Sequence, residues 1–396
     1  MKSAYVNAAA LRRGYLLPIG IVLVGANLRA PITSLGPVLD RIQSDLSLGD
    51  SAAGLLGALP LLVFALLSLV APAIARAIGL ERGIGAALVA ILVGTVVRSC
   101  PFDGAVWLGM LLLSAGIAIG NVLLPGLVKR EFPERSAFYT SLYAAAMASA
   151  AGLSAGLAVP VASLPGSSWR VAIGMSIIIT VAAFATWLPQ LRFEHRPSVR
   201  KESAAGSVSP WRHPIGWQIS GFFACHSFVF YSLVTWYASI GLERGESAAS
   251  TGFDLLLYQV VAVATSLLSA PLIKRMKDQR AMGYVCGASL LVGALGLWSG
   301  APVSAAWLVV AGLGAGFSMT TSLSLFALRT HHHDQAARLS SMAQFIGYSG
   351  SAVGPLLMGA LHAATGAWRV PLAVLIVVSA LVTVFAVLAG RRRFID

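Results

Sequence analysis

Charge is scarce in this chain. Only 11% of its 396 residues are Asp, Glu, Lys or Arg, while 57% are hydrophobic; an ordinary soluble protein is roughly 25% charged. A soluble fold would therefore lack polar surface. Cysteine is scarcer still: Cys100, Cys225 and Cys286 form no CxxC pair and have no His at ligand spacing, which argues against a disulfide framework and a zinc site. They read as small buried apolar side chains. No P-loop or other ATP motif occurs, so neither a primary pump nor a cofactor is indicated. The forty glycines do not mark disorder, because the apolar residues come in long runs undiluted by Pro, Ser and Glu. The class that fits is an all-α integral membrane protein.

A bilayer core needs ~20 mainly apolar residues per helix. Cutting at charges and at Gly/Pro punctuation predicts spans near 14–40, 52–76, 80–98, 103–129, 136–161 and 169–190, then 214–241, 250–273, 280–299, 302–328, 336–362 and 367–390. Lys2, Arg12 and Arg13 ahead of the first run imitate a signal peptide. That run passes residue 35, beyond the ~7–15 residues of a signal h-region, and reads as the first span. The long polar stretch "LRFEHRPSVRKESAAGSVSPWRH" falls near the midpoint. It divides the chain into a six-helix half at 1–190, a cytoplasmic linker at 191–213 and a second half at 214–396.

The net charge of +13 invites a nucleic-acid reading that its placement removes. Of 28 Lys and Arg, five (Arg41, Arg98, Arg170, Arg244 and Arg369) fall in one set of loops and Arg29 lies inside a span. The other 22 belong to the termini and the alternate loops, which puts both termini in the cytoplasm. The halves also echo each other: Trp169-Arg170-Val171 recurs as Trp368-Arg369-Val370, and "ERSAFYTSLYAAAMASAAG" parallels "QAARLSSMAQFIGYSGSAVG". Six spans repeated with weak internal symmetry is the pattern of a major-facilitator fold, with its substrate site near the midplane between halves.

The segments "NLRAPITSLGP" (27–37), "GNVLLPGLVKREFPERSAFYTSLY" (120–143) and "LSSMAQFIGYSGSAVGPLLMGALHAATGAW" (339–368) resemble the cyanate-permease and 2-nitroimidazole-exporter (CynX/NimT) branch of the major facilitator superfamily. The resemblance covers nearly the whole chain and implies a secondary transporter rather than an enzyme. Where the family pattern carries Gln-Ser in span seven, this chain has His226-Ser227, and Ala315 stands where span ten often has Gln. The facilitator signature between spans two and three survives only as "ARAIGLERG".

Polar residues at membrane depth are the candidate binding groups. Arg29 lies about sixteen residues, or ~24 Å, into its span. It either faces a cavity or bonds helix-end carbonyls near Pro31. Asn27 points about 200° away on an ideal helix, so both line one cavity only if Pro31 distorts the turn. No Asp or Glu falls in the middle third of any span, which removes the usual proton carrier and implies an electropositive cavity. His226, twelve residues into span seven, is then the candidate proton-coupling group or a helix-helix hydrogen bonder. Tyr143, Tyr231, Gln259, Gln344 and Tyr348 complete the predicted substrate-binding set, each with interhelical packing as the alternative. Asn121 is an outlying candidate near Pro125. The pairs Gly116/Gly120, Gly152/Gly156 and Gly350/Gly354 read as close-approach faces, and His331–His333 as a solvated loop.

The leading expectation is transport of a small organic or inorganic anion by alternating access. The alternative is proton-coupled efflux of a small nitrogen heterocycle or drug-like compound. A membrane-embedded lipid enzyme is a remote third, since no catalytic set is found. The implied partners are a small-molecule substrate, the bilayer and protons, with no nucleic acid, metal or cofactor, and the chain acting as a monomer.

Overall fold

A computed structural model describes residues 16–48, 50–192, 208–300 and 304–395. The expectations for Lys2, Arg12, Arg13 and linker positions 193–207 lie outside the described residues, as does the side chain of Asp40.

Among the described residues the chain is helical, with a lone parallel bridge between Thr330 and Ile395. The first span is α1 (16–27) followed by the single turn α2 (Ala30–Thr33), and α3 (Leu39–Leu46) leads out of it. The second span is α4 (Asp50–Ser68) and α5 (Ala71–Ile78). Next come α6 (Leu80–Ser99), α7 (Ala105–Glu131) and α8 (Ser136–Ala162), and then α9 (Trp169–Gly174) with α10 (Ile177–Trp187) as the sixth span. After the linker follow α11 (Pro214–Glu243), α12 (Ala248–Arg275), α13 (Arg280–Ser299), α14 (Ser304–Leu328), α15 (His333–Thr365) and α16 (Arg369–Ala389).

Ten of these spans are each long and apolar enough to cross a bilayer, and an eleventh is the α4–α5 pair, bent by 54° ahead of Pro72. The twelfth is α15. Its 33 residues reach about 50 Å, but Gln335, Ser340, Ser341, Gln344 and Ser351 are buried along it and dilute its hydropathy. The result is a twelve-span, all-α membrane protein.

The chain separates into two compact units. One holds the residues up to Pro133 together with Leu142–Ala204; the other holds Glu134–Ser141 and the residues from Ala205 onward. In the first, α6 and α7 cross where glycines let their backbones touch: a Cβ on Gly94 would come 2.7 Å from the Gly109 carbonyl oxygen. Near the start of α6, Glu81, 2% exposed, pairs with Arg130 of α7, and its backbone carbonyl accepts from the Trp187 indole at 2.9 Å. The acidic remnant of "ARAIGLERG" is therefore an internal helix tie. In the second unit α11 packs along α15, and α13 packs against both α14 and α16.

The repeated Trp-Arg-Val triplets open the last span of each half and are held differently. Asp45 accepts from the Trp169 indole at 3.0 Å and from Arg170 at 2.7 Å. The Arg170 bond, then that of Trp169, holds the Asp45 carboxyl below its ordinary range. Trp368 instead stacks on His362 at 4.1 Å, and Arg369 lies 5.1 Å over Trp298.

Two of the three small-residue faces are close approaches. Gly116 fits against Ala87 and Ile91 of α6, and Gly354 against Phe228 and Ser232 of α11. Gly152 and Gly156 are corrected: among the described residues, no atom beyond their own stretch of helix lies within 4 Å of a Cβ at either. The buried stripe of α8 runs instead through Tyr143, Met147, Ala150, Ala151, Ser154 and Ala158, and the two glycines fall outside it.

Candidate functional site

The first span breaks where the sequence places its arginine. Leu28 and Arg29 leave the helix, and Arg29 becomes the N-cap of α2 with φ −135° and ψ −42°. Pro31 cannot donate to the ladder, and the backbone tightens to three-residue bonds, Leu28 N–H to Gly25 O and Leu35 N–H to Ile32 O, at 3.0 and 3.1 Å. Arg29 is half-buried. One turn earlier Gly25 touches α8, where a Cβ would come 2.8 Å from that of Tyr143. Tyr143 is 2% exposed. Beyond the break, Ser154 donates to Ala30 O at 2.7 Å and Thr33 to Ala151 O at 2.9 Å.

The sixth span also breaks, at Met175–Ser176, and the two interruptions are tied together. Asn27, 0% exposed, donates to Leu23 O at 2.8 Å and Ile179 O at 3.3 Å, and accepts from Thr180 Oγ1 at 2.6 Å. The structure thus places this expected substrate contact within a helix pair. The amide is engaged between α1 and α10, because an unpaired amide inside a helix pair is costly.

Sequence reasoning missed Arg98, counting it as a loop charge. It is 0% exposed, and its guanidinium donates to Pro31 O of the first span, to Ile173 O of the sixth, and to Ser34 Oγ at 3.5 Å. A helix break inside a membrane frees carbonyls that must find donors. Arg98 supplies them to both breaks, sharing the Pro31 carbonyl with the Ser34 hydroxyl, which donates to it at 3.1 Å. The available signal was "VVRSCP": an arginine inside the last turn of an apolar helix rather than beyond it.

In the second unit His226 is 4% exposed on α11. Its Nδ1 lies 3.0 Å from Phe223 O. A carbonyl only accepts, so Nδ1 carries a proton and Nε2 is the basic nitrogen. Phe223 gathers three groups around it: His226 at 5.5 Å, Phe326 of α14 at 6.1 Å, and Tyr348 of α15 edge-on at 6.1 Å. Gln344, one turn before Tyr348, is 1% exposed and donates to Ser340 Oγ at 2.9 Å. The half-buried Tyr231 belongs to a neighbouring cluster with Phe230 at 5.3 Å, which in turn packs on Tyr258. Gln259 follows Tyr258 on α12, and Asn121 lies on α7; both are half-buried. Span ten adds a run the sequence reading passed over, Ser318, Thr320, Thr321, Ser322 and Ser324, all at most 2% exposed.

Helices broken around buried polar groups, in two six-span bodies, agree with what comparison shows. The sequence model of the Major Facilitator Superfamily matches residues 21–351. The chain belongs to the Major Facilitator Superfamily. Over 378 residues, 96% of each protein, it is 38% identical to the 2-nitroimidazole transporter of Escherichia coli (strain K12). Over 348 residues, 87% of the chain and 90% of that protein, it is 26% identical to the cyanate transport protein CynX of the same organism. A crystal structure of the Major Facilitator Superfamily transporter FucP in the outward conformation matches with a TM-score of 0.75 at 16% identity, covering 96% of this chain and 100% of that one. The fold is thus that of the superfamily, and the branch is the one its motifs resemble. This facilitator is a secondary active transporter of a small solute and not an enzyme.

Arg98→Met keeps bulk but removes the guanidinium donors, stranding the Ile173 carbonyl and leaving the Pro31 carbonyl to the Ser34 hydroxyl alone. The variant should lose about 1–3 kcal/mol of stability, the cost of one unsatisfied buried group, read as a lower melting temperature of purified protein. Arg98→Lys should recover part of it. An unchanged melting temperature in Arg98→Met would show that the breaks are satisfied without this side chain.

Proposed function

We propose that this facilitator moves a small planar anion, and that Arg29 is the group that binds it. The observation that carries the reading is a permanently charged fork at the break in the first span, in a chain whose 15 Asp and Glu all lie outside the middle third of its spans. A guanidinium holds a carboxylate-like anion through two parallel bonds, whereas an ammonium is a compact point charge. Transport of cyanate by one relative supports an anion. Tyr143, packed on Gly25 one turn before Arg29, is proposed as a wall of the same site; Gln259, Gln344, Tyr348 and Tyr231 are proposed as contacts from the second half.

A second reading has its own support. The aromatic cluster of Phe223, His226, Phe326 and Tyr348 suits a flat ring, and a relative 38% identical is a 2-nitroimidazole transporter. Export of a nitrogen heterocycle in exchange for protons is the alternative, with His226 as the coupling group in either direction. The halves 1–190 and 214–396 are proposed as the alternating bodies, in a monomer held in the bacterial inner membrane with both termini cytoplasmic, as the 22 basic residues on one side suggest.

Thermal shift of purified protein with benzoate, cyanate and 2-nitroimidazole tests the pair of readings. The anions should raise the melting temperature of the parent, and Arg29→Lys should fold yet need at least ~10-fold more anion for the same shift. Equal anion response in Arg29→Lys contradicts the first reading, and a response to 2-nitroimidazole alone favours the second.

For coupling, His226→Gln should keep ligand binding but flatten the pH dependence of transport between roughly pH 5 and 8, where a histidine changes charge. A pH profile identical to the parent's would leave His226 as a packing residue.

A further inference from the structure

At the end of the second unit that carries the C-terminus, the tail after α16 is fixed in place. Arg329, 3% exposed, caps that helix, donating to Ala389 O at 3.0 Å and Gly390 O at 2.9 Å. In return the Ile395 N–H bonds the Arg329 carbonyl at 3.0 Å, and Ile395 is fully buried. Phe394 stacks on His331 at 4.4 Å. The three arginines 391–393 are thus carried on a pinned turn.

Beside that turn begins α11, and between them lies a cavity of about 440 Å³ lined by His213, Gln218, Arg391, Arg393 and Phe394, with no carboxylate among the described residues of its wall. His213 accepts the Ile215 N–H on Nδ1 at 3.2 Å, so its ring proton sits on Nε2 and that nitrogen is a donor. Gln218 adds an amide donor. Among the described residues at this end, Asp278 is already engaged by Arg280, 3.2 Å from its backbone N–H and 2.8 Å from Nε, and Asp334 lies 3.4 Å from His333 Nε2. Next to the cavity Trp217 donates to Trp211 O at 3.0 Å, and the two rings are 51% and 41% exposed. Exposed, hydrogen-bonded indoles at the start of a span mark the headgroup level of a bilayer.

We propose that this cavity binds a phosphate-ester oxyanion, supplied by the headgroup of an anionic phospholipid. The arginine forks and the His213 and Gln218 donors meet the oxygens, and the tryptophans place the lipid's glycerol and chains alongside α11. Basic pockets at this depth are the recurrent form of lipid-headgroup recognition. The site is separate from Arg29 and does not depend on which solute is carried.

Native mass spectrometry of full-length protein with phosphatidylglycerol and, separately, phosphatidylcholine tests this. A second arm measures thermal shift in detergent with inorganic phosphate. The parent should retain phosphatidylglycerol in preference to phosphatidylcholine, and Arg391→Gln/Arg393→Gln should weaken that retention at least ~10-fold. The control Lys274→Gln/Lys277→Gln removes the same charge from exposed positions and should leave retention unchanged. Arginine-dependent stabilisation by phosphate without phosphatidylglycerol retention would keep the oxyanion site and overturn the lipid as its source. Equal retention by parent and Arg391/Arg393 variant, or equal loss in the control, overturns the proposal.

Discussion

The first half of this facilitator depends on how broken backbone is satisfied where no water reaches it. Spans one and six both interrupt their helices, and each interruption releases carbonyls from the ladder. A hydrocarbon environment makes such groups cost several kcal/mol apiece. Among the described residues, Arg98 meets neutral groups: two backbone carbonyls, one hydroxyl and the Met110 sulfur. A buried guanidinium is itself costly, so each side of the arrangement needs the other. The breaks require a multidentate donor, and the cation requires oxygens.

Asn27 performs the complementary task on the far side of the same interruptions, linking α1 to Ile179 and Thr180 of α10. Gly25 brings α8 into backbone contact, and Ala30, Thr33, Ala151 and Ser154 continue that seam. The consequence for function is geometric. Arg29 heads a one-turn helix whose neighbours are fixed by hydrogen bonds before and after it, rather than riding on a loop. A residue carried this way would lose little backbone freedom on meeting a ligand.

Much of this was legible from residues alone. Hydrophobic run length located every span to within a few residues, and the repeated Trp-Arg-Val triplet marked the start of the last span in each half. The motifs of spans one, four and eleven identified the branch. What escaped was side-chain direction. Arg98 looked like loop charge because it stands one turn from a Cys-Pro boundary, and linear position does not reveal that it reaches back to carbonyls 67 and 75 residues away in the chain. Asn27 looked like a ligand group beside Arg29, and its linear position does not reveal its ties to Ile179 and Thr180. Gly152 and Gly156 have the spacing of a packing face and lie off the buried stripe of α8, which small-residue spacing cannot report. The hydroxyls of span ten were passed over because each singly is common in a membrane helix; only their joint burial makes them notable.

The central claim is that the solute is an anion whose passage requires the Arg29 fork. Counterflow measures this directly: proteoliposomes loaded with unlabelled benzoate are diluted into trace labelled benzoate, and accumulation of label is followed without any imposed gradient. The account predicts transient accumulation by the parent and none by Arg29→Lys reconstituted to the same density. Equal accumulation by both proteins, or exchange of labelled 2-nitroimidazole with no exchange of any anion, would contradict it.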